Sequence, residues 1–290
     1  MADETNKHAE CPVPKGILVI IGGKENKSNK PEDHVQEENG SPLEILESVI
    51  KLCNKKDPLV EIITTASSAG EESFEEYREV FAKIGAKRTR HIHHNSRSEL
   101  LNEALSGSIG EADLFFFSGG DQLKLTSIYG GTEFLTQLKN RYISDGIVIA
   151  GTSAGAMALS TPMIYAGNDE DQQISGEIKV TTGLEFLRDV CVDTHFVHRG
   201  RFVRMAQVVI TNPSCIGLGI EEDTALIVKN GVDATVIGSG IVIVIDGVHV
   251  DHIDIDAFSN QDAVSVRNLK VHLLAKNDGY TIPQHNPPHY

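Results

Sequence analysis

Apolar and polar positions along this 290-residue chain alternate between short β-branched runs and longer stretches with helical spacing. Residues 15–21 (Lys-Gly-Ile-Leu-Val-Ile-Ile) read as a buried first strand, ended by Gly22-Gly23. The following stretch, residues 24–40, is polar, charged and Pro-interrupted, too long for a tight strand-to-helix turn, and reads as a mobile loop. Ser41-Pro42-Leu43-Glu44 has the order of a helix start, with serine as N-cap, proline at the first helical position and glutamate three residues after the cap. Further strands are expected over 59–64, 86–93 and 114–117. Helices are expected over 71–84, where Phe74, Tyr77, Phe81 and Ile84 share one face before Gly85, and over 96–105, 122–129 and 132–142.

This repeated strand–helix order predicts a mainly parallel sheet with helices on both faces, an α/β architecture of three layers. After residue 158 the texture changes. Residues 160–183 are polar and glycine-containing, an excursion expected near a site. Residues 190–196 and 216–220 read as strands, with a helix between them whose buried face carries Phe202, Val203, Ala206 and Val209. From Ala225 on, Asn230-Gly231, Gly238-Ser239-Gly240 and Asp246-Gly247 punctuate β-branched runs, so the last third is expected to add antiparallel hairpins to the sheet. The expected organisation is one domain over 15–277, between a disordered segment 1–14 and a loose tail 278–290.

Composition narrows the function classes. A hydrophobic fraction of 40% with 23% charged residues is ordinary for a globular protein. The polar first residues lack the apolar stretch of a secretory signal, so the expected address is the cytosol. A formal net charge of −15 disfavours nucleic acid and anionic membranes as partners and suits a cationic or arginine-bearing ligand. Cys11, Cys53, Cys191 and Cys215 show no Cys-x-x-Cys spacing, so free thiols are expected, with neither a metal nor a cofactor. His91, His93 and His94 invite a metal reading, but strand alternation puts the first two on one face and the third on the other.

The candidate chemistry begins at Gly151-Thr152-Ser153-Ala154-Gly155, which follows the apolar run 146–150. A strand, a Gly-x-Ser-x-Gly turn and a small-residue helix start form a nucleophile elbow, in which the Ala154 N–H can face a developing oxyanion. The same pattern also fits a plain strand-to-helix turn capped by serine. Ser118-Gly119-Gly120-Asp121-Gln122, after the fourth strand, can expose backbone N–H groups to an anion, or be only a flexible turn. A serine needs a base, and the base an orienting acid. His195 and Glu222 both end strands, where α/β sites gather, while His198, Glu221 and Asp223 compete, and spacing alone does not choose among them. Arg199, Arg201 and Arg204 crowd a helix start, the unfavourable end of its dipole for cations. They favour recognition of a ligand carboxylate over purely structural pairing with Asp193 or Glu222.

Taken together, Gly151-Thr-Ser-Ala-Gly-Ala156, Asp193-Thr-His-Phe196 with Arg199-Gly-Arg201 and Arg204, and Gly219-Ile-Glu-Glu-Asp-Thr-Ala225 resemble the cyanophycinases, serine hydrolases related to peptidase E. The resemblance runs over most of the chain and implies a flavodoxin-like, class I glutaminase-like fold. It implies Ser153 as nucleophile, His195 as general base and acid, and Glu222 as the residue orienting it. Gly119, Gly120 and Ala154 would be oxyanion donors, and Gln122, Asp193, Thr194, Arg199, Arg201 and Arg204 substrate-site residues. It further implies cyanophycin as substrate, a poly-aspartate backbone with arginine on each β-carboxyl, β-Asp-Arg as product, and a homodimer. Thr194 departs from the glutamine usual in the bacterial pattern, which bears on side-chain preference. The alternatives are a peptidase E type aspartyl dipeptidase and a catalytically silent ligand-binding domain.

Overall fold

In the first half of the chain the strand–helix alternation is realised nearly as the sequence implies. The computed structural model describes residues 12–27, 43–102, 108–166, 178–250, 252–253 and 265–283. It runs β1 (Ile17–Ile21), α1 (Glu44–Leu52), β2 (Leu59–Ile63), α2 (Gly70–Lys83), β3 (Arg88–Ile92), α3 (Arg97–Asn102), α4 (Ser108–Glu111), β4 (Leu114–Phe117), α5 (Gln122–Tyr129), α6 (Glu133–Ser144), β5 (Val148–Thr152) and α7 (Ala154–Ala158). The second half is richer in strands: β6 (Ser160–Thr161), β7 (Met163–Ala166), β8 (Lys179–Thr181), β9 (Leu187–Arg188), β10 (Val190–Thr194), α8 (Phe202–Thr211), β11 (Ile216–Ile220), β12 (Thr224–Lys229), β13 (Asp233–Gly238) and β14 (Val242–Asp246). The chain closes with β15 (His252–Ile253), β16 (Val266–Arg267), β17 (Lys270–Leu274) and β18 (Gly279–Thr281).

The larger sheet has the order β18-β13-β12-β1-β5-β4-β2-β3. Its members β1, β5, β4, β2 and β3 are parallel, and β12, β13 and β18 join antiparallel at the β1 side. Strand alternation divides its side chains between two cores. Val19, Ile21, Phe116 and Val148 pack under α1 and α2, with Leu46, Val49, Tyr77 and Phe81. Leu18, Ile20, Phe115 and Ile149 face the other way, toward Leu125, Tyr129, Phe134 and Leu138 of α5 and α6.

Beside α5 and α6, that second core is covered by another sheet, ordered β17-β14-β11-β10-β6-β9. Here β10 and β11 are parallel, while β14 and β17 are antiparallel. Val192, Leu218, Ile220 and Val244 enter the shared core, and Cys191, Ile243 and Ile245 pack beneath Met205, Val208 and Val209 of α8. The expectation of hairpins added to one sheet is thus corrected: β12 and β13 do extend the first sheet, but β10, β11, β14 and β17 build a second. Periodicity reveals that a strand is covered on both faces, not which strands it pairs with.

Three local expectations also change. Helix α1 starts at Glu44 with Leu43 at the N-cap, and the expected cap Ser41 and Pro42 lie outside the described residues. At the start of the expected mobile loop Glu25 is buried while Lys24 is exposed, and residues 28–40 are not described. The expected loose tail begins instead as β18 on the edge of β13, with Ile282 buried after it, and 284–290 lie outside the described residues.

Candidate active site

Strand β5 ends at Thr152 and α7 begins at Ala154, so Ser153 occupies the turn between them. Its backbone, at φ 51° and ψ −118°, is a conformation that residues with a Cβ adopt rarely and that a surrounding structure must enforce. The Ser153 N–H donates to the Ile21 carbonyl at 3.0 Å, and the Ser153 carbonyl accepts from Met157 at 3.0 Å. The hydroxyl therefore stands at the carboxyl end of the parallel strands, the edge where α/β folds collect ligands.

His195 directly follows β10 in the second sheet, and Glu222 lies in the turn between β11 and β12. Ser153 Oγ is 3.0 Å from His195 Nε2, and His195 Nδ1 is 2.7 Å from Glu222 Oε1. This is the hydrogen-bonded order that lets an imidazole accept a hydroxyl proton while a carboxylate fixes its tautomer. The rival acids are occupied elsewhere. Glu221 accepts from the Val197 and His198 N–H groups, and Asp223 accepts from Ser239 Oγ at 2.8 Å and from the Asn26 N–H. His91 Nε2 and His93 Nδ1 both meet Thr64 Oγ1, and His94 Nδ1 meets Tyr129 Oη, so the two faces read from strand alternation are present.

A cavity of about 180 Å³ opens beside Ser153. Its wall includes Gly120, Gln122, Ala154, Thr194, Arg199, Arg201 and Arg204, together with Met157, Ile164 and Tyr165. Gly119 lies behind them, close enough that a Cβ there would be 3.4 Å from Ser153 Cβ. Gln122 Nε2 donates to the Ile164 carbonyl at 3.0 Å, which ties α5 to β7. Among the expected substrate residues, Asp193 is placed differently. Its buried carboxylate accepts from Arg201 Nη1 at 3.0 Å, from Arg204 Nε and Nη2 at 2.6 and 2.5 Å, and from the Thr194 N–H at 2.9 Å, and it does not line the cavity. A buried carboxylate demands such pairing, so Asp193 anchors two of the guanidinium groups. Structural pairing therefore accounts for part of the arginine cluster. Arg199 is exposed at the cavity and pairs with no carboxylate among the described residues. Thr194 Oγ1 is buried in the cavity wall and has no hydrogen-bond partner among the described residues.

A family model described as peptidase family S51 matches residues 34–236. The chain belongs to peptidase family S51. Among curated proteins, this S51 peptidase is 28% identical over 275 residues to a cyanophycinase of Synechococcus elongatus, covering 95% of this chain and 82% of the relative. It is 26% identical to a cyanophycinase of Geminocystis herdmanii, covering 94% and 96%. A crystal structure of a peptidase from an acI-B1 actinobacterium superposes with a TM-score of 0.64 at 22% identity, over 93% of this chain and 98% of that one. A putative peptidase E protein from Listeria monocytogenes gives 0.50 at 18% identity, over 78% and 99%. These structures share the fold, and family membership makes the chain a serine-type peptidase.

Electrostatics in the S51 site favour a neutral imidazole. Burial lowers the His195 pKa below the ordinary 6.5, the hydrogen bond with Glu222 works against that, and the nearby Arg199 and Arg201 charges add to the lowering. Burial alone would raise the Glu222 pKa, but hydrogen bonds from His195 and Lys24 outweigh it and leave it below its usual value of 4.5. Sequence reading missed Lys24, whose Nζ lies 3.0 Å from Glu222 Oε1, and Glu25, whose carboxylate is buried beside the elbow. The available signal was a charged pair set immediately after Gly22-Gly23 at a strand's carboxyl end. Ile164 and Tyr165 were foreseen only as part of an excursion near the site.

Proposed function

We propose that this S51 peptidase hydrolyses cyanophycin, with Ser153 as nucleophile, His195 as general base and then acid, and Glu222 as the residue that holds His195. The observation that carries the reading is the Ser153–His195–Glu222 alignment at the mouth of a cavity walled by three arginines. His195 Nε2 takes the Ser153 proton as Oγ adds to a backbone carbonyl of the polymer. The oxyanion is received by backbone N–H groups of Ala154 and the Gly119-Gly120 turn. Collapse breaks the C–N bond, the amine leaves with the proton from His195, and water, activated by the same imidazole, releases the acyl group and frees Ser153.

The cavity charges suit this substrate. Arg201 and Arg204 both pair with the carboxylate of Asp193, and the exposed Arg199 adds a further positive charge to the wall of an acidic protein. The free carboxylates of the polymer's attached arginines match that wall. The chain's overall charge of −15 attracts the arginine-decorated exterior of the polymer. Thr194 lines the cavity with a side chain shorter than glutamine, which suits tolerance of lysine beside arginine.

Incubation with the insoluble polymer is expected to release β-Asp-Arg, and Ser153→Ala to reduce release by on the order of a million-fold. Release that survives this substitution sinks the serine assignment. Faster turnover of Asp-X dipeptides than of polymer would instead make the protein a peptidase E type dipeptidase. Cytosolic location and a homodimer accompany the cyanophycinase reading, and light scattering on the purified protein checks the second.

A further inference from the structure

Five consecutive residues at the end of β1 touch every part of the Ser153–His195–Glu222 arrangement. The carbonyl of Ile21 accepts from the Ser153 N–H at 3.0 Å, that of Gly22 from His195 at 2.9 Å, and that of Gly23 from Asp223 at 3.0 Å. These three acceptors serve three residues from three different turns. All three partners have positive φ, at 51°, 51° and 47°, which is costly for residues with a Cβ and persists only under external restraint. Gly23 itself lies flat against the imidazole, since a Cβ there would fall 2.5 Å from His195 Nε2.

The next two side chains diverge. Lys24 Nζ reaches Glu222 Oε1 at 3.0 Å, the oxygen that also takes the His195 Nδ1 proton. Glu25 turns into the interior, where its two carboxylate oxygens accept from Thr152 Oγ1 at 2.6 Å and from Tyr77 Oη at 2.5 Å. Thr152 is the residue before the nucleophile. Burial and the Glu25 carboxylate push the Tyr77 phenol well above its ordinary pKa, so it stays a donor. One arm thus ends at the acid and the other at the nucleophile's neighbour.

We propose that residues Gly23 to Glu25 form a positioning clamp, in which Lys24 sets the charge that Glu222 presents to His195 and Glu25 holds Thr152 so that Ser153 keeps its strained backbone. This rests on the assignment of Ser153, His195 and Glu222 as the reacting groups. The clamp lies outside residues 34–236, which the family model matches. The charged and polar groups facing His195 are Glu222 from the β11–β12 turn, Lys24 from the clamp, Arg199 and Arg201 from the approach to α8, and Ser153 from the elbow. Lys24 opposes the imidazolium by sharing the Glu222 oxygen that stabilises it. Its removal therefore raises the His195 pKa, and more alkaline solution is needed to obtain the neutral base. The Lys24 side chain is 61% exposed, so the effect is small and screened by salt.

The test is the rate of Ser153 phosphonylation by a small fluorophosphonate across pH, followed by mass spectrometry, because this readout does not depend on the peptide substrate. Lys24→Met is expected to move the acid limb upward by roughly half a pH unit at low salt, the order of effect of one unit charge acting in a watery setting. Lys24→Arg should restore it, and high salt should shrink the difference. Glu25→Gln and Thr152→Val should each lower the plateau rate by about tenfold without moving the limb, and the double variant should lose no more than the larger single loss. An unmoved limb in Lys24→Met, or wild-type plateaus in Glu25→Gln and Thr152→Val, overturns the clamp while labelling of Ser153 in the unaltered protein leaves the triad standing. Absence of that label in the unaltered protein overturns triad and clamp together.

Discussion

His195 shows how much depends on a single ring. In the proposed mechanism only the neutral imidazole can accept the Ser153 proton, so activity is expected to fall as the solution becomes acidic enough to charge it. Because burial and two nearby arginines lower its pKa from 6.5 despite Glu222, the acid midpoint of kcat/KM is expected to lie below 6.5. A pH–rate profile with its acid midpoint above 6.5 contradicts the assignment. The identity of this residue was only partly legible. Chain order placed His195 at a strand end, but the choice over His198, and of Glu222 over Glu221 and Asp223, needed either the family resemblance or the distances. Adjacent acids in a turn look alike in one dimension, and only the fold points one to the imidazole, one to the Val197 and His198 amides and one to Ser239.

At the scale of elements, the join between β10 and α8 carries the arginines. Asp193, the penultimate residue of β10, gathers Arg201 and Arg204, and both guanidinium groups are nearly buried. Asp193→Ala leaves two buried cations without their carboxylate, and the expected loss is about 3–5 kcal/mol, measured by urea denaturation. A loss under about 1 kcal/mol means that other partners hold these arginines and that the aspartate is not their anchor. The strands and helices themselves were readable, because β-branched runs and helical spacing are local signals. Sheet membership was not. Val190 to Thr194 are all buried because one face meets the first sheet and the other meets α8, a pattern indistinguishable along the chain from a strand inside a single parallel sheet. Likewise the short Gly279–Thr281 strand carries too little pattern to be told from a tail, and pairing with β13 makes it part of the sheet.

Across the whole molecule, charge and thiol chemistry follow from burial. Burial pushes the Cys53 and Cys215 thiols up to about 12 and raises Cys191 well above its ordinary value, so these three are poor nucleophiles despite being unbridged. The acidic surface and the cationic wall are separate features of one chain, and composition alone showed only the first. Ser153 belongs to the first sheet, whereas His195 belongs to the second, and the contact between them crosses the core shared by Leu18, Ile20, Val192 and Leu218.

This makes turnover a gauge of docking between two sheets. A displacement of a single ångström across that seam would take the imidazole out of reach of the hydroxyl while both sheets kept their own backbone pairing. Hydrolysis is therefore expected to fade at a lower urea concentration than far-ultraviolet ellipticity, the enzyme failing as a hinged instrument before it fails as a folded chain. If both signals are lost at one midpoint, the seam is as strong as the sheets it joins.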